Sequence, residues 1–402
     1  MKVLIADKLP DFSRVRLSAS DAQVRMDPGL NGDDLTKSLG DFDPDVLIVR
    51  STRVTAEHIV AGKRLALIVR AGAGVNSIAL EAAADRAVYV ANCPGKNADA
   101  VAELTMGLLL ALDRHIPDSV ADLRRGQWNK ARYSRAGGLK GRVMGLIGLG
   151  GIGTEVAKRA RAFGMKVVAW SRSLTEERAS ELGIVRCPTP EEVAKRGHVV
   201  SVHLALTPGT TGFVGASIFD AMTPGAMFLN TSRAAVVDND ALLRALDDKG
   251  IRAGLDVFNG EPKSGSADFD NAVAKHPNVV GTHHIGASTA QAQDAVAGEA
   301  CRIVETYMQT GRVPNCVNLA TVSGADHTLV VRHRDAVGVL AHTLACLRQA
   351  HINVQEMENI IFAGGQAATA RIQVRGRPAA DTITAIEQNE HVYSVAVFAR
   401  RR

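Results

Sequence analysis

The stretch Gly148-Leu149-Gly150-Gly151-Ile152-Gly153 constrains this chain more than any other. It is a G-x-G-x-x-G that follows an apolar run at 143–147 and opens a helical pattern at 151–163. The pattern by itself is common; a strand before it and a helix after it make it informative. Each glycine has its own reason. Gly148 permits the tight turn, Gly150 lets the backbone approach a pyrophosphate, and Gly153 lets helix and strand pack closely. The phosphates would rest on the free N–H groups of the helix N-terminus, at Gly151 and Ile152. A site for NAD usually carries an acid about 20 residues further on. Here the second strand ends in Trp170-Ser171-Arg172-Ser173, with no acid. An arginine flanked by hydroxyls suits a 2′-phosphate, so the expected cofactor is NADP(H). NAD(H) is the alternative, with Arg172 stacked on the adenine.

The same alternation extends over most of the chain. In the first 93 residues, strand-like runs at 3–6, 46–50, 65–70 and 88–91 alternate with helical patterns at 56–61 and 78–85. Residues 98–112 are apolar with few breaks and read as a buried helix. After 143–147 the runs at 166–170, 199–204, 226–230, 252–257 and 278–281 continue a second series. Such alternation builds parallel sheets covered on both faces. A helix at 289–310 precedes a linker bearing Pro314, Asn315, Ser323 and Gly324. The order then changes to strand-helix-strand-strand-helix-strand over 328–398, which is ferredoxin-like. The expected fold class is α/β: two doubly wound parallel-sheet domains, the first flavodoxin-like and the second Rossmann, then a ferredoxin-like α+β domain.

Composition narrows the function classes. Aromatic residues make up 4% of the chain, too few for the stacking platforms of a single-strand nucleic-acid binder. The net charge of +5 is spread along the chain, with Arg400 to Arg402 as the basic cluster of note, and reads as a mildly basic enzyme. No nucleic-acid partner is expected. No run of about 18 apolar residues exists, so no membrane span is expected. MKVLIADKLP reads as a first strand, because a signal peptide needs a longer apolar core. Cys93, Cys187, Cys301, Cys316 and Cys346 contain no close pair, which fits free thiols in a cytoplasmic setting and offers no metal site.

Hydride chemistry on an alcohol needs a base for the hydroxyl proton, a partner that orients the base, and a cation for a neighbouring carboxylate. Three residues just past expected strands fit those needs: His284, Glu261 and Arg233. A strand-end arginine, a surface acid and a helix-entry histidine are the bland readings of each.

Matched segments from 49 to 288 tie these positions together: VRSTRVTAEHI, RAGAGVNSIALEAA, NADAVAELTMGLLLAL, HLALTPGTTGFV, FLNTSRAAVVDNDALLRAL, AGLDVFNGEP and HHIGAST. In these the chain resembles the D-isomer-specific 2-hydroxyacid dehydrogenase family, and within it the branch that oxidises 3-phosphoglycerate at the entry to L-serine synthesis. The resemblance implies that Arg233 binds substrate, that Glu261 pairs with His284, and that His284 exchanges the proton. It implies cofactor contacts at His203, Thr207 and Asp256 beside the glycine loop and Ser171, Arg172 and Ser173. It implies a carboxylate-binding loop at Ala73 and Gly74, within 71–74, and a phosphate contact at Arg50 assisted by Arg53. It implies domains at 1–97 with 284–312, at 98–283, and at 326–402 after a linker at 313–325. The last is ACT-like, and His333, Asp335 and Asn353 fall where an amino-acid effector, serine, would bind. Two residues depart from the family there: Asp335 stands where an Asn is usual, and Ala336-Val337 replaces Arg-Pro. A homodimer or homotetramer is implied as well. The missing ribose acid favours a different member, an NADPH-linked hydroxypyruvate or glyoxylate reductase. A redox-sensing corepressor-like binding protein is the alternative of another class.

Overall fold

Val3, Leu4 and Ile5 have no exposed surface, and neither do Val46, Leu47, Ile48 and Val49. Strands this apolar suit a sheet buried on both faces, and these pair in parallel. The computed structural model describes residues 1–262, 266–320 and 323–400. Its first sheet has five parallel strands: Lys2–Ile5, Gln23–Met26, Val46–Val49, Leu67–Arg70 and Tyr89–Asn92. Numbered along the chain they lie in the order 2-1-3-4-5, which is flavodoxin-like. Strand Gln23–Met26 and the helices Phe12–Ala19 and Gly32–Phe42 were not among the expected elements. The strand is an edge with polar Gln23 and Arg25 exposed, so it has no continuous apolar run to announce it.

The second sheet has seven parallel strands: Val143–Ile147, Lys166–Trp170, Val185–Arg186, Val199–Val202, Met227–Asn230, Arg252–Leu255 and Val279–Gly281. Their order is 3-2-1-4-5-6 with the seventh strand outside the sixth, the Rossmann arrangement. The helix Ala98–Arg114 lays Leu108, Leu109 and Leu112 on this sheet against Met144, Leu146 and Leu229. The helix Ala290–Thr310 returns to the first sheet, where Val296, Ala300 and Ile303 join Val3, Ile5 and Leu17 in one core.

The expected linker begins later than its composition suggests. Val317 N–H donates to the Val90 carbonyl at 2.8 Å, and the Asn318 side chain bridges Val88 and Val90. Residues 315–318 thus extend the edge of the first sheet. Contacts divide the chain after Asn318, into Met1–Asn318 and Leu319–Arg402. Part of the linker (Thr321, Val322) and two of the terminal arginines (Arg401, Arg402) lie outside the described residues.

The second unit is an antiparallel sheet of His327–Arg334, Val354–Ile361, Ala367–Val374 and Val392–Ala399 in the order 2-3-1-4. This is the ferredoxin-like order. Leu347 and Ile386, from the helices Val339–Gln349 and Ala380–Glu387, close its core on Leu329, Val331, Ala370 and Ile372. No helix among the described residues is long and apolar enough to cross a membrane. The five cysteines are free.

Candidate active site

Each glycine of the 148–153 loop meets a different constraint. Gly148 has φ +97°, and a Cβ there would lie 2.5 Å from the His203 carbonyl oxygen. Gly153 would put a Cβ 2.4 Å from the Gly148 carbonyl, so only glycine lets the helix start this close to the strand. A Cβ at Gly150 would meet nothing within 4 Å, because that face opens on a cavity. The helix Gly151–Ala162 has no side chain capping its first N–H groups. Beside the loop, His203 Nε2 meets the Ser201 hydroxyl at 2.9 Å, while its buried Nδ1 has no partner among the described residues. Burial pushes the imidazole down to about 4, so it is neutral. A cradle open at Gly150, free helix N–H groups and an unpaired ring nitrogen fit a dinucleotide's pyrophosphate and sugars. The turn Ser171-Arg172-Ser173 leaves Arg172 and Ser173 exposed; neither they, Ser171 nor Thr207 line the cavity.

The cavity is about 820 Å³ and is bounded by residues of both sheets. From the first sheet come Arg50, Ala73 and Gly74; from the second come Gly150, Gly151, Ile152, His203, Arg233, Asp256 and His284. Arg53 is exposed and does not line it. Arg70 does line it, although in sequence it reads only as the last residue of a strand. Its place at a strand's carboxyl end, two residues before a glycine, was the available signal. A Cβ on Gly72, whose φ is +152°, would sit 1.5 Å from Arg70 Nη1, so the absent side chain is the slot the guanidinium occupies. Arg70 Nε is buried without a partner among the described residues. Burial, then the charges of Arg233 and Arg50, holds this guanidinium below its usual range. A Cβ on Gly74 would come 2.8 Å from Arg233 Nη2, so Arg233 lies over the 71–74 loop.

Asn230 ends its strand and organises the turn that carries Arg233. Its Oδ1 accepts from Ser232 N–H and the Ser232 hydroxyl at 2.9 and 2.7 Å, and its Nδ2 donates to the Arg233 carbonyl at 3.1 Å. Asp256, buried at the end of Arg252–Leu255, organises the histidine loop. Its Oδ1 accepts from the Thr282 hydroxyl and Ile285 N–H, and its Oδ2 from Gly286 N–H, at 2.6 to 2.8 Å. His284 is held there at φ +54°, a left-handed conformation rare for histidine. Its Nδ1 donates to Glu261 Oε2 at 2.7 Å, and Glu261 Oε1 accepts from Phe258 N–H at 2.8 Å. That leaves Nε2 as the free ring nitrogen. The bond to Glu261 raises the His284 pKa against burial and Arg233. Burial opposes ionisation of Glu261, but the bonds from His284 and Phe258 hold it below the usual carboxylate range. Glu261 stands behind the histidine and does not line the cavity.

In the C-terminal unit the three expected effector residues do not gather. His333 is buried, donating from Nδ1 to the Arg334 carbonyl at 2.8 Å and meeting Asn359 Oδ1 through Nε2 at 3.1 Å. Asp335 follows the His333 end of its strand. Asn353 precedes Val354, which pairs with Val374, the residue that also pairs with His327. Asp335 and Asn353 therefore sit at opposite ends of the sheet, roughly 20 Å or more apart at a strand rise of about 3.3 Å per residue. Spacing along the chain held no warning of this, because strand direction decides which ends meet.

Fold and site define a class: a nicotinamide-cofactor protein with a Rossmann domain, a second doubly wound domain and a carboxylate–histidine pair at the cavity between their sheets. Residues 106–286 match the family "D-isomer specific 2-hydroxyacid dehydrogenase, NAD binding domain". The D-3-phosphoglycerate dehydrogenase of Methanocaldococcus jannaschii is 36% identical over 324 residues, 80% of this chain and 60% of that one. The chain thus spans less than two thirds of that curated relative's length. The solved TT0316 protein of Thermus thermophilus is 34% identical with a TM-score of 0.70, covering 79% of this chain and 100% of that one. The NAD+-bound 3-phosphoglycerate dehydrogenase of Entamoeba histolytica is 25% identical with a TM-score of 0.66, over 79% and 99%. The chain belongs to the D-isomer-specific 2-hydroxyacid dehydrogenase family.

Proposed function

We propose that this chain oxidises the C2 hydroxyl of 3-phosphoglycerate, giving 3-phosphohydroxypyruvate for L-serine synthesis. The carrying observation is the convergence of Arg50, Arg70 and Arg233 on one cavity, with Arg70 Nε buried and unpaired. Such a concentration of positive charge calls for a substrate with more than one anionic group. In this reading Arg233 holds the carboxylate and polarises the C2 oxygen, with the N–H groups of Ala73 and Gly74 assisting. Arg50 and Arg70 take the phosphate. His284 Nε2 takes the hydroxyl proton, and Glu261 stabilises the imidazolium that forms. Bound nicotinamide supplies the hydride acceptor. The glycine loop, with His203, Thr207 and Asp256, would hold that cofactor. Arg172 with Ser171 and Ser173 supports NADP(H) over NAD(H).

The absent ribose acid also supports a second reading, an NADPH-linked hydroxypyruvate or glyoxylate reductase. Initial rates with 3-phosphoglycerate, hydroxypyruvate and glyoxylate against NAD(H) and NADP(H) separate the two. A selective loss of phosphoglycerate turnover in Arg50→Ala supports the first; turnover of the unphosphorylated acids alone overturns it. The free thiols suit a reducing, cytoplasmic setting. A homodimer or homotetramer completes the reading, and serine sensing by the C-terminal unit would need two copies to bring Asp335 and Asn353 together. Saturating L-serine that changes neither rate nor melting temperature overturns the sensing.

A further inference from the structure

Asp7 follows the first strand and Arg50 follows the third, and these two strands are neighbours. In the order 2-1-3-4-5 that is the switch point, where connections leave toward opposite faces and a crevice opens at the carboxyl ends. Leu9 and Pro10, just beyond Asp7, line the cavity with Arg50. Three consecutive backbone N–H groups, of Arg50, Ser51 and Thr52, point at one atom, Asp7 Oδ2, at 2.6, 3.1 and 3.1 Å. The Ser51 hydroxyl donates to Oδ1 at 2.9 Å. Converging N–H groups form a nest of the kind that binds anions. Here the protein's own carboxylate fills it.

We propose that Asp7 is a positioning and specificity residue: by occupying this nest it fixes the loop that presents Arg50, and it leaves the guanidinium side chains as the seat for a substrate's distal anionic group. This rests on the phosphate reading of Arg50 above. Two observations support it. Asp7 stays below the usual carboxylate range although burial opposes this, because the N–H groups of Arg50 and Thr52 and the Ser51 hydroxyl favour its charged form. Its charge also offsets the crowding of positive charge on Arg70. An empty nest would let the loop relax away from Arg70, whose charge repels that of Arg50. The catalytic pair His284–Glu261 belongs to the other sheet and takes no part in this clamp.

The test compares reduction of 3-phosphohydroxypyruvate and of hydroxypyruvate in the full chain and in Asp7→Ala, Asp7→Asn, Arg50→Ala and the Asp7→Ala/Arg50→Ala double variant. Asp7→Ala should raise KM for the phosphorylated acid about tenfold or more, with kcat and the hydroxypyruvate KM changed less than about threefold. The double variant should be no worse than Arg50→Ala, since the clamp acts through that arginine. Asp7→Asn should recover most of the loss, because its amide oxygen can still accept the three N–H groups. Melting temperature, with titration of NADH and NADPH, checks that each variant is folded. Equal losses on both substrates, in Asp7→Ala or in a folded Asp7→Asn, overturn the proposal, and so does additivity with Arg50→Ala. If Arg50→Ala separates the two substrates and Asp7→Ala does not, only the Asp7 assignment falls. If Arg50→Ala fails to separate them, the phosphate reading falls and the proposal with it.

Discussion

Replacing Glu261 by Gln changes one atom in the pair that tunes His284, the proposed catalytic histidine. In the native protein Glu261 Oε1 is engaged by Phe258 N–H and Oε2 by His284 Nδ1–H. The amide has one acceptor for these two donors. If its oxygen stays on Phe258 N–H, its NH2 faces His284 Nδ1 and donates to it. That arrangement strips the proton from Nδ1, places it on Nε2 and makes the nitrogen that faces the cavity useless as a base. It also removes the charge that raises the His284 pKa.

The size of the effect follows from the bond lost. A charge-assisted hydrogen bond is worth about 1.5–3 kcal/mol, and the partial exposure of both side chains places this one near the middle of that range. About 2 kcal/mol is roughly 30-fold in rate. The pH profile carries the sharper signature. Keto-acid reduction needs His284 protonated, so its rate falls as pH rises through the raised pKa; oxidation rises over the same interval. In Glu261→Gln both limbs should move to lower pH, and reduction at neutral pH should suffer most. The same sign holds for stability, since the pair's contribution is present below the histidine's unfolded pKa and lost as pH rises through the folded one. Steady-state rates in both directions across pH 5–9, with cofactor affinity measured alongside, test this. An unchanged kcat with unmoved limbs would refute the assignment of Glu261 as the group that charges His284.

Other perturbations probe other parts. Gly153→Ala should cost about 2–3 kcal/mol, because its Cβ would meet a backbone carbonyl at 2.4 Å, whereas Gly150→Ala should spare the melting temperature and weaken cofactor binding, read by NADH titration. Gly72→Ala should expel Arg70 from its slot and raise KM at least tenfold for the phosphorylated acid while leaving the cofactor Kd in place. Glu299, held at about 2 by the bond from Arg302, should stabilise the fold above the usual carboxylate range and lose that contribution as pH falls toward 2. Glu299→Gln should therefore lower the melting temperature at pH 7 and flatten its fall in acid.

What could be read in the sequence depended on whether a local rule carried it. The glycine loop was legible because each glycine answers to its immediate neighbours in a strand–turn–helix. Strand Val143–Ile147 and helix Ala56–Ala61 announced themselves by apolar period. Strand Gln23–Met26 did not, since an exposed edge tolerates Gln and Arg. From the residues alone His284 and Glu261 were legible as candidates, and as a pair only through the family resemblance, because 23 residues separate them and the loops beyond the last two strands bring them to 2.7 Å. Arg70 was legible as the last residue of its strand but not as a site residue, because only the slot left by Gly72 turns its guanidinium to the cavity. The effector residues came from the resemblance alone, and strand direction, which no local rule carries, sets Asp335 and Asn353 at opposite ends of one sheet.

Asp7 and Asp256 put acids at strand ends to one use, holding a neighbouring loop. Each follows a strand, and each receives backbone N–H groups from a loop beyond the adjacent strand: Asp7 from residues 50–52, Asp256 from 285 and 286. In one sheet the clamped loop carries Arg50; in the other it carries His284 at its strained φ. A loop that crosses the mouth of a crevice cannot bond to a sheet, so its N–H groups need another acceptor. A carboxylate on the neighbouring strand supplies one of fixed position and full charge. Preorganising a catalytic or binding side chain this way takes one acid per loop, and it uses that acid's oxygens on the backbone. For Asp256, whose two oxygens already hold three donors, any contact with a cofactor comes second to holding His284 where the proposed reaction needs it.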